Sequence, residues 1–144
     1  MKYIVFCFCL LFAFEAKSEL PLCSDLAVIE TLNTAITDVY GQYEEKPQNS
    51  YQTREIKLLR KNSKNLYPVN LAEFSQKNSP EAYGIVVETV INKHISKEDM
   101  RLCISPQFRK REPIYVLIYP QDDAFEAAII NLDRFGKKIS KKIQ

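Results

Sequence analysis

The sequence has little of what catalytic and cofactor-binding sites are usually built from. It contains three glycines, which lie far apart, one histidine and no tryptophan. A phosphate-binding loop needs several glycines close together, and neither a zinc site nor several of the common catalytic triads can be built around His94 alone. We therefore expect a protein that is not an enzyme and holds no cofactor or metal. None of the eight asparagines lies in an Asn-x-Ser/Thr sequon, which favours a bacterial envelope.

The remaining polar residues offer only weak catalytic alternatives. His94 with Asp99 is the one local pair of its kind, and its ordinary interpretation is a surface histidine near a helix end. The pairs Glu44–Glu45 and Asp122–Asp123 could bind a metal or act as acid and base, but loops and helix N-caps commonly carry such acids. These residues leave open one enzymatic function class, a small hydrolase that uses Asp122, Asp123 or His94.

The N-terminus has the pattern of a signal peptide. Lys2 precedes an apolar run over residues 3–14, which is shorter than the roughly 20 apolar residues that span a membrane core. A small-x-small pattern ends at Ser18, where a signal peptidase would cut. We predict a signal peptide over residues 1–18 and a single small exported domain over residues 19–144, located in the periplasm or secreted.

Removal of the signal peptide leaves two of the four cysteines. Cys7 and Cys9 leave with the signal, and Cys23 and Cys103 remain. An oxidising compartment favours a disulfide between them, and closing so long a loop stabilises the folded state by about 4 kcal/mol in the loop-entropy description. The alternative is a free reactive thiol, which needs an electropositive environment.

The two ends of the mature chain carry opposite charge. Residues 19–45 include six acidic and no basic residues, whereas residues 134–142 include five basic and no acidic ones. We favour an intramolecular interpretation, in which an acidic first helix lies beside a basic last helix. The alternative is that each charged face has its own partner.

Hydrophobic spacing predicts a mainly α-helical domain of three to five helices. Apolar residues recur every three or four positions after Ser24, which we expect to cap the first helix. Ser79-Pro80 is a strong helix start, although six β-branched residues over 85–91 leave a buried strand possible there. The helices are predicted over residues 24–41, 53–60, 70–74, 79–95 and 122–139, with a further turn opened by the capping box at 96–99 and running through Met100 and Leu102. Residues 53–60 are too few for periodicity to separate a helix from a strand, so a strand is the alternative there.

One segment has the composition of a β-strand. Residues 114–119 are apolar or β-favouring and are bounded by Pro113 and Pro120. The segment before Pro68 is also expected to be extended, because proline disfavours helix at the preceding residue. The fold class is therefore mainly α, with the alternative of an α+β domain that has a small sheet around residues 114–119.

Two basic patches are candidate partner-binding sites. The first is a loop containing Phe108, Arg109, Lys110 and Arg111, which we interpret as a protein-binding loop. The second is the basic C-terminal tail over residues 134–144, whose lysines could contact anionic membrane or nucleic acid. Their ordinary interpretation is that cations are favoured at a helix C-terminus. The lysines concerned are Lys137, Lys138, Lys141 and Lys142.

Three short segments between roughly residues 70 and 135 form a pattern that a known family shares. They are Tyr83-Gly84, Leu102-Cys103-Ile104-Ser105-Pro106, and Ala127-Ala128-Ile129-Ile130 after a tyrosine-rich apolar stretch. In these segments the chain resembles the periplasmic immunity proteins that neutralise type VI secretion amidase effectors. The family has a Cys-Ile-Pro segment, into which this chain inserts one residue, and a Gly-Tyr pair, which this chain reverses. The resemblance implies a small helical domain that contains a disulfide and binds a toxin.

The sequence thus favours binding over chemistry. We expect a non-catalytic exported protein that binds another protein, such as an inhibitor, an immunity protein or an envelope accessory factor. The alternative is a secreted effector that acts on a host partner, membrane or nucleic acid through its basic patches.

Overall fold

The computed structural model describes residues 19–46, 49–77, 80–106, 113–130 and 139–144. The predicted signal peptide lies outside these residues. The described part of the chain contains four α-helices, a short 3₁₀ turn and five β-strands. In chain order these are α1 (Leu26–Glu45), α2 (Ser50–Ser63), β1 (Tyr67–Pro68), α3 (Leu71–Lys77), α4 (Pro80–Asn92), the 3₁₀ turn (Lys97–Asp99), β2 (Arg101–Ile104), β3 (Tyr115–Gln121), β4 (Ala124–Ile129) and β5 (Ile139–Lys142).

The five strands form one antiparallel sheet in the order β1-β2-β3-β4-β5. Every strand therefore pairs with its neighbours in sequence, although two helices separate β1 from β2. Leu117 on β3 lies opposite Leu102 on one side and Ala128 on the other. Residues 115–119 are all buried, because helices cover both faces of this central strand. A strand buried on both faces reads as a continuous apolar run, which is why the sequence identified this one.

The first face of the sheet packs against α1 and α2. Residues at spacings of three and four on α1 turn one apolar stripe towards the sheet, as the periodicity predicted. The buried cluster on this face comprises Cys23, Val28, Leu32, Ala35, Ile36, Tyr40, Ile56, Leu59, Leu66, Cys103, Ile114, Val116, Ile118, Ala127, Ile129 and Ile139.

The second face packs against α3 and α4. The ring of Phe74 meets the ring of Tyr115 edge to face, with centroids 5.0 Å apart, a geometry that aromatic pairs prefer. On this face α4 contributes Val86, which is fully buried. The cluster comprises Phe74, Val86, Leu102, Ile104, Tyr115, Leu117, Tyr119 and Ala128. The protein is therefore a three-layer arrangement with one helix pair on each side of the sheet.

Polar side chains cap three of the helices. The Asp25 carboxylate accepts a hydrogen bond from the Ala27 N–H at 3.0 Å, so the N-cap lies one residue after the predicted Ser24. The side-chain oxygen of Asn49 accepts from the Gln52 N–H at 2.8 Å. Asn70 caps α3, since its side-chain oxygen accepts from the Glu73 N–H at 2.6 Å. Each cap satisfies an N–H that has no partner within its helix.

The prediction of a mainly helical fold is wrong, because a sizeable five-stranded antiparallel sheet forms the centre of the domain. Residues 124–129, predicted to begin a last helix, are strand β4, and Ile139 begins strand β5 instead of ending that helix. Asp122 and Asp123 form the turn between β3 and β4 instead of a helix N-cap. The middle of the predicted helix, including Leu132 and Phe135, lies outside the described residues. The sheet also departs from the helical domain that the resemblance implied.

Other predicted elements are confirmed. Helices occupy the regions predicted at 24–41, 53–60, 70–74 and 79–95, so the β-branched segment in α4 is helical, not extended. The predicted cap at Ser79 lies outside the described residues. The capping-box segment gives only the 3₁₀ turn, and the chain is already a strand at Arg101.

The predicted disulfide is present. Cys23 and Cys103 are bonded, with their Cα atoms 5.8 Å apart, and both are buried. Arg101 adds a second tie at this place, because its Nε–H donates to the Pro21 carbonyl at 2.8 Å. The segment before α1 is therefore fixed to β2.

Candidate functional site

Two of the predicted partner-binding residues, Lys141 and Lys142, lie on β5 at one edge of the sheet. The other six residues predicted for this role lie outside the described residues, and so do residues 134–138 of the basic tail. They are Phe108, Arg109, Lys110, Arg111, Lys137 and Lys138. The candidate site is therefore built here from β5 and the elements that surround it.

Opposite charges from the two ends of the chain meet beside β5. The Lys141 ammonium lies 2.7 Å from the Asp38 carboxylate on α1. The acidic first helix thus lies beside the basic end of the chain, as the favoured interpretation of the charge pattern required. A strand, not the predicted helix, carries the lysines. Lys142 points to the opposite face of the sheet, where its ammonium lies 3.5 Å from the Asp122 carboxylate.

A polar groove of about 220 Å³ runs between α1 and β5. Its wall on the α1 side carries a carboxylate and two hydroxyl groups, and its wall on the β5 side carries the ammonium group of Lys141. The lining residues are Ala27, Glu30, Thr31, Thr34, Lys141, Lys142 and Gln144. The groove therefore offers hydrogen-bond donors and acceptors along the outer side of the edge strand.

The backbone of β5 is paired on one side only in the described residues. The Ile143 N–H donates to the Phe125 carbonyl at 2.8 Å, which fixes the hydrogen-bonding pattern between β4 and β5. Because antiparallel strands alternate bonded and non-bonded pairs, the N–H and C=O groups of Ser140 and Lys142 point away from β4. No described residue forms a backbone hydrogen bond with these outward groups.

The opposite edge of the sheet, formed by β1, offers no outward N–H donor at Pro68. The Val69 N–H donates to the Leu102 carbonyl at 3.0 Å, so the alternation turns the backbone of Pro68 outward. Proline has no N–H and is found in sheets mainly at such edge positions. The strand is also only two residues long. The two edges therefore differ, and only β5 offers outward N–H donors among the described strands.

The weak catalytic alternatives are placed in ordinary structural roles. His94 is exposed and ends α4 with φ 52°, while the Ile95 N–H donates to the Val90 carbonyl at 3.0 Å, a common way to terminate a helix. No hydrogen bond or ion pair joins His94 to Asp99 within the described part of the chain. Asp122 and Asp123 are exposed in the β3–β4 turn. Among the described residues, no group of three or more His, Cys, Asp or Glu could hold a metal ion.

Glu44 belongs to a network that joins α1 to α2. The Arg60 Nε–H donates to Glu44 at 2.9 Å, and a second guanidinium nitrogen also bonds this carboxylate. Arg60 also donates to the Asn33 carbonyl at 3.1 Å and to the Thr37 hydroxyl at 2.8 Å. The hydrogen bonds from Arg60 lower the pKa of Glu44, an effect that burial opposes and charge attraction reinforces. This arrangement holds two helices together and leaves Glu44 ionised.

A second polar cluster, which the sequence did not reveal, lies around Tyr119. Burial raises the pKa of this phenol, and the Glu126 carboxylate, its neighbour across the β3–β4 pair, adds to the effect by charge and by a hydrogen bond. The Lys93 ammonium lies 5.2 Å from the centre of the Tyr119 ring. Only the register of the hairpin brings Tyr119 and Glu126 together, so no local sequence signal could have identified them.

Two further findings bear on the setting of the site. The disulfide between Cys23 and Cys103 fits an oxidising, exported location. No helix in the described ranges combines the length and the apolar character needed to cross a membrane.

No protein-family model matches this sequence, and comparison with curated proteins and with solved structures gives no match.

Proposed function

We propose that this chain is a non-catalytic exported protein that binds another protein at the edge of its sheet formed by β5. The observation that carries this proposal is the difference between the two edges. Pro68 removes the outward donor at β1, whereas Ser140 and Lys142 keep theirs at β5. Exposed strand edges are ready templates for pairing with another chain, so natural proteins close them or use them.

The surroundings of β5 support a binding role. The disulfide and the Arg101 hydrogen bond fix the start of α1 to β2, and α1 in turn packs along β5. A surface held this way loses little conformational freedom when a partner binds, which favours affinity. The biological forms that fit are an inhibitor, an immunity protein or an envelope accessory factor acting in the periplasm.

The alternative is a secreted effector that contacts anionic membrane or nucleic acid through its basic tail. Such binding gains from releasing counterions around unpaired cations. Lys141 already has Asp38 as its counterion, which weakens this alternative for the described part of the tail. Cell fractionation separates the two, because an effector accumulates in the culture supernatant and a periplasmic binding protein does not.

Site-specific photo-crosslinking in the native host tests the proposal. A photoreactive amino acid placed at Ser140 should give a covalent adduct with one protein species, recovered reproducibly and identified by mass spectrometry. The matched control places the same amino acid at Lys57, which is exposed on α2. The proposal predicts an adduct at Ser140 and none at Lys57. Absence of an adduct at Ser140, or the same adducts from both positions, would contradict it.

A further inference from the structure

We infer that the partner binds β5 as a sixth strand, through an extended segment that carries acidic residues. This inference rests on the proposed function and specifies how the β5 edge acts. The sheet already contains five antiparallel strands, and β5 is its last strand in the described residues. An extended segment placed beside β5 continues the same hydrogen-bonding ladder.

The backbone of β5 provides the first argument. The outward N–H and C=O groups of Ser140 and Lys142 are spaced as one strand presents them to the next. In strand addition, main-chain hydrogen bonds provide much of the affinity and side-chain contacts provide the selectivity. The strand carries no proline at these positions, in contrast to Pro68 at the other edge.

The groove beside β5 provides the second argument. A sixth strand would alternate its side chains between the two faces of the sheet. Those on the α1 side would enter the polar groove and meet Glu30, Thr31 and Thr34. The groove therefore gives the added strand a wall to pack against, which a bare strand edge does not offer.

Charge indicates the partner's chemistry. On the face away from α1, Lys142 points to solvent, with its side chain 52% exposed and its carboxylate neighbour Asp122 70% exposed. An exposed ion pair at 3.5 Å contributes little, so Lys142 remains available to another carboxylate. Opposite charges directly across a strand pair stabilise it. A glutamate or aspartate opposite Lys142 is therefore the expected contact.

The same rule disfavours a second copy of this chain as the occupant. If Ser140 pairs with Lys142 of the second copy, the two Lys141 side chains lie directly opposite each other. If the pairing is centred on Lys142, the two Lys142 side chains oppose each other instead. Like charges directly across strands are destabilising, so an acidic segment suits this edge better.

Nuclear magnetic resonance tests the inference on the purified, oxidised protein. The probe is a short synthetic peptide of alternating glutamate and threonine, added at millimolar concentration. We expect the amides of Ser140 and Lys142 to exchange rapidly in the free protein and to become at least about tenfold more protected with the peptide, since pairing closes them from solvent. The same peptide N-methylated at every backbone nitrogen should give no protection, because neither of its strand edges has an N–H to donate.

Two substitutions separate backbone from charge. Ser140→Pro removes an outward N–H and should weaken peptide binding about fivefold to tenfold, the effect of one hydrogen bond. Lys142→Glu should weaken binding of the glutamate peptide and strengthen binding of a lysine-for-glutamate version, whereas Lys57→Glu should change neither. Circular dichroism verifies that each variant is folded. If Ser140→Pro does not fold, the comparison of normal and N-methylated peptides decides the question.

The outcomes distinguish this inference from the proposed function. Unprotected amides at Ser140 and Lys142, or equal binding of the normal and N-methylated peptides, overturns the sixth-strand inference. The proposed function then still depends on the crosslink from Ser140, which uses the native partner and no synthetic peptide. Sedimentation that shows a dimer abolished by Ser140→Pro identifies a second copy as the occupant and also overturns the inference.

Discussion

Cys23 lies before α1 and is bonded to Cys103, which lies between Pro68 and Val116 in the sheet. The bond joins residues separated by 80 positions and reaches the interior of the sheet from the helix layer on its first face. It therefore fixes the start of α1, the helix whose first half forms one wall of the β5 groove and whose Asp38 contacts Lys141. Loss of the bond should loosen the whole of this layer.

Replacing both cysteines tests the contribution of this bond. The Cys23→Ala, Cys103→Ala double variant should be less stable than the oxidised parent by about 4 kcal/mol, because the unfolded chain regains the freedom of a long loop. Urea denaturation of both proteins measures the difference. The parent in reductant should approach the double variant, and Ser24→Ala, which leaves the bond intact, is the control. Equal unfolding midpoints for oxidised parent and double variant would show that the thiols are not bonded.

The same substitution at two leucines tests the description of the core. Leu117 is fully buried in the central strand, whereas Leu26 is 65% exposed at the start of α1. Leu117→Ala should lower the free energy of unfolding by about 2–5 kcal/mol, because it removes apolar contacts and leaves a cavity. Leu26→Ala should change it by less than about 0.5 kcal/mol. Similar losses at both positions, measured by urea denaturation, would contradict the assigned layers.

The Glu44–Arg60 pair gives stability a dependence on pH. Because Arg60 lowers the pKa of Glu44 from its ordinary value of 4.5, the folded state holds this carboxylate ionised more strongly than the unfolded state does. The contribution is therefore present above about pH 4.5 and is lost as pH falls through the lower folded pKa. Glu44→Gln should lower stability by about 0.5–1 kcal/mol at neutral pH, a size typical of a partly exposed pair.

Denaturation curves of parent and variant at several pH values measure this effect. The difference in free energy of unfolding between parent and variant should shrink as the pH is lowered below about 4, where carboxylates ordinarily become protonated. The control is Glu45→Gln at the exposed neighbouring residue, which should behave like the parent throughout. A difference that stays constant with pH would mean that the ionised carboxylate is not what stabilises the helix pair.

The sequence predicted the four helices of the described residues, though not the absence of a helix at 124–129, for an identifiable reason. In α1 the apolar residues occupy one face and polar residues the other, so the spacing is visible along the chain. In β4 no such alternation of apolar and polar residues is visible, because Ala127 and Ala128 are buried on opposite faces of the sheet. With both faces covered the alternation disappears, and Phe125 and Ile129 then fall at helical spacing by coincidence.

The site could be predicted only in part. Lys141 and Lys142 were identified from their charge, but as helix residues. That their strand is an edge depends on strand order, and the contact of Lys141 with Asp38 joins residues that are 103 positions apart. The outward direction of the Ser140 and Lys142 amides depends on register with β4. Each of these properties is set by long-range pairing, which local patterns do not record.

The turn that the sequence mistook for a helix cap provides a last prediction. Asp122 has φ 57°, a region that glycine enters freely and that residues with a Cβ atom do not favour. Asp122→Gly should therefore be more stable than Asp122→Ala by about 1 kcal/mol. At Ser140, within a strand, the order should reverse, because glycine loses more conformational freedom than alanine there. Thermal unfolding of the four variants measures both orders. Alanine more stable than glycine at position 122 would contradict the left-handed turn and, with it, the β3–β4 hairpin that sets the strand order ending in β5.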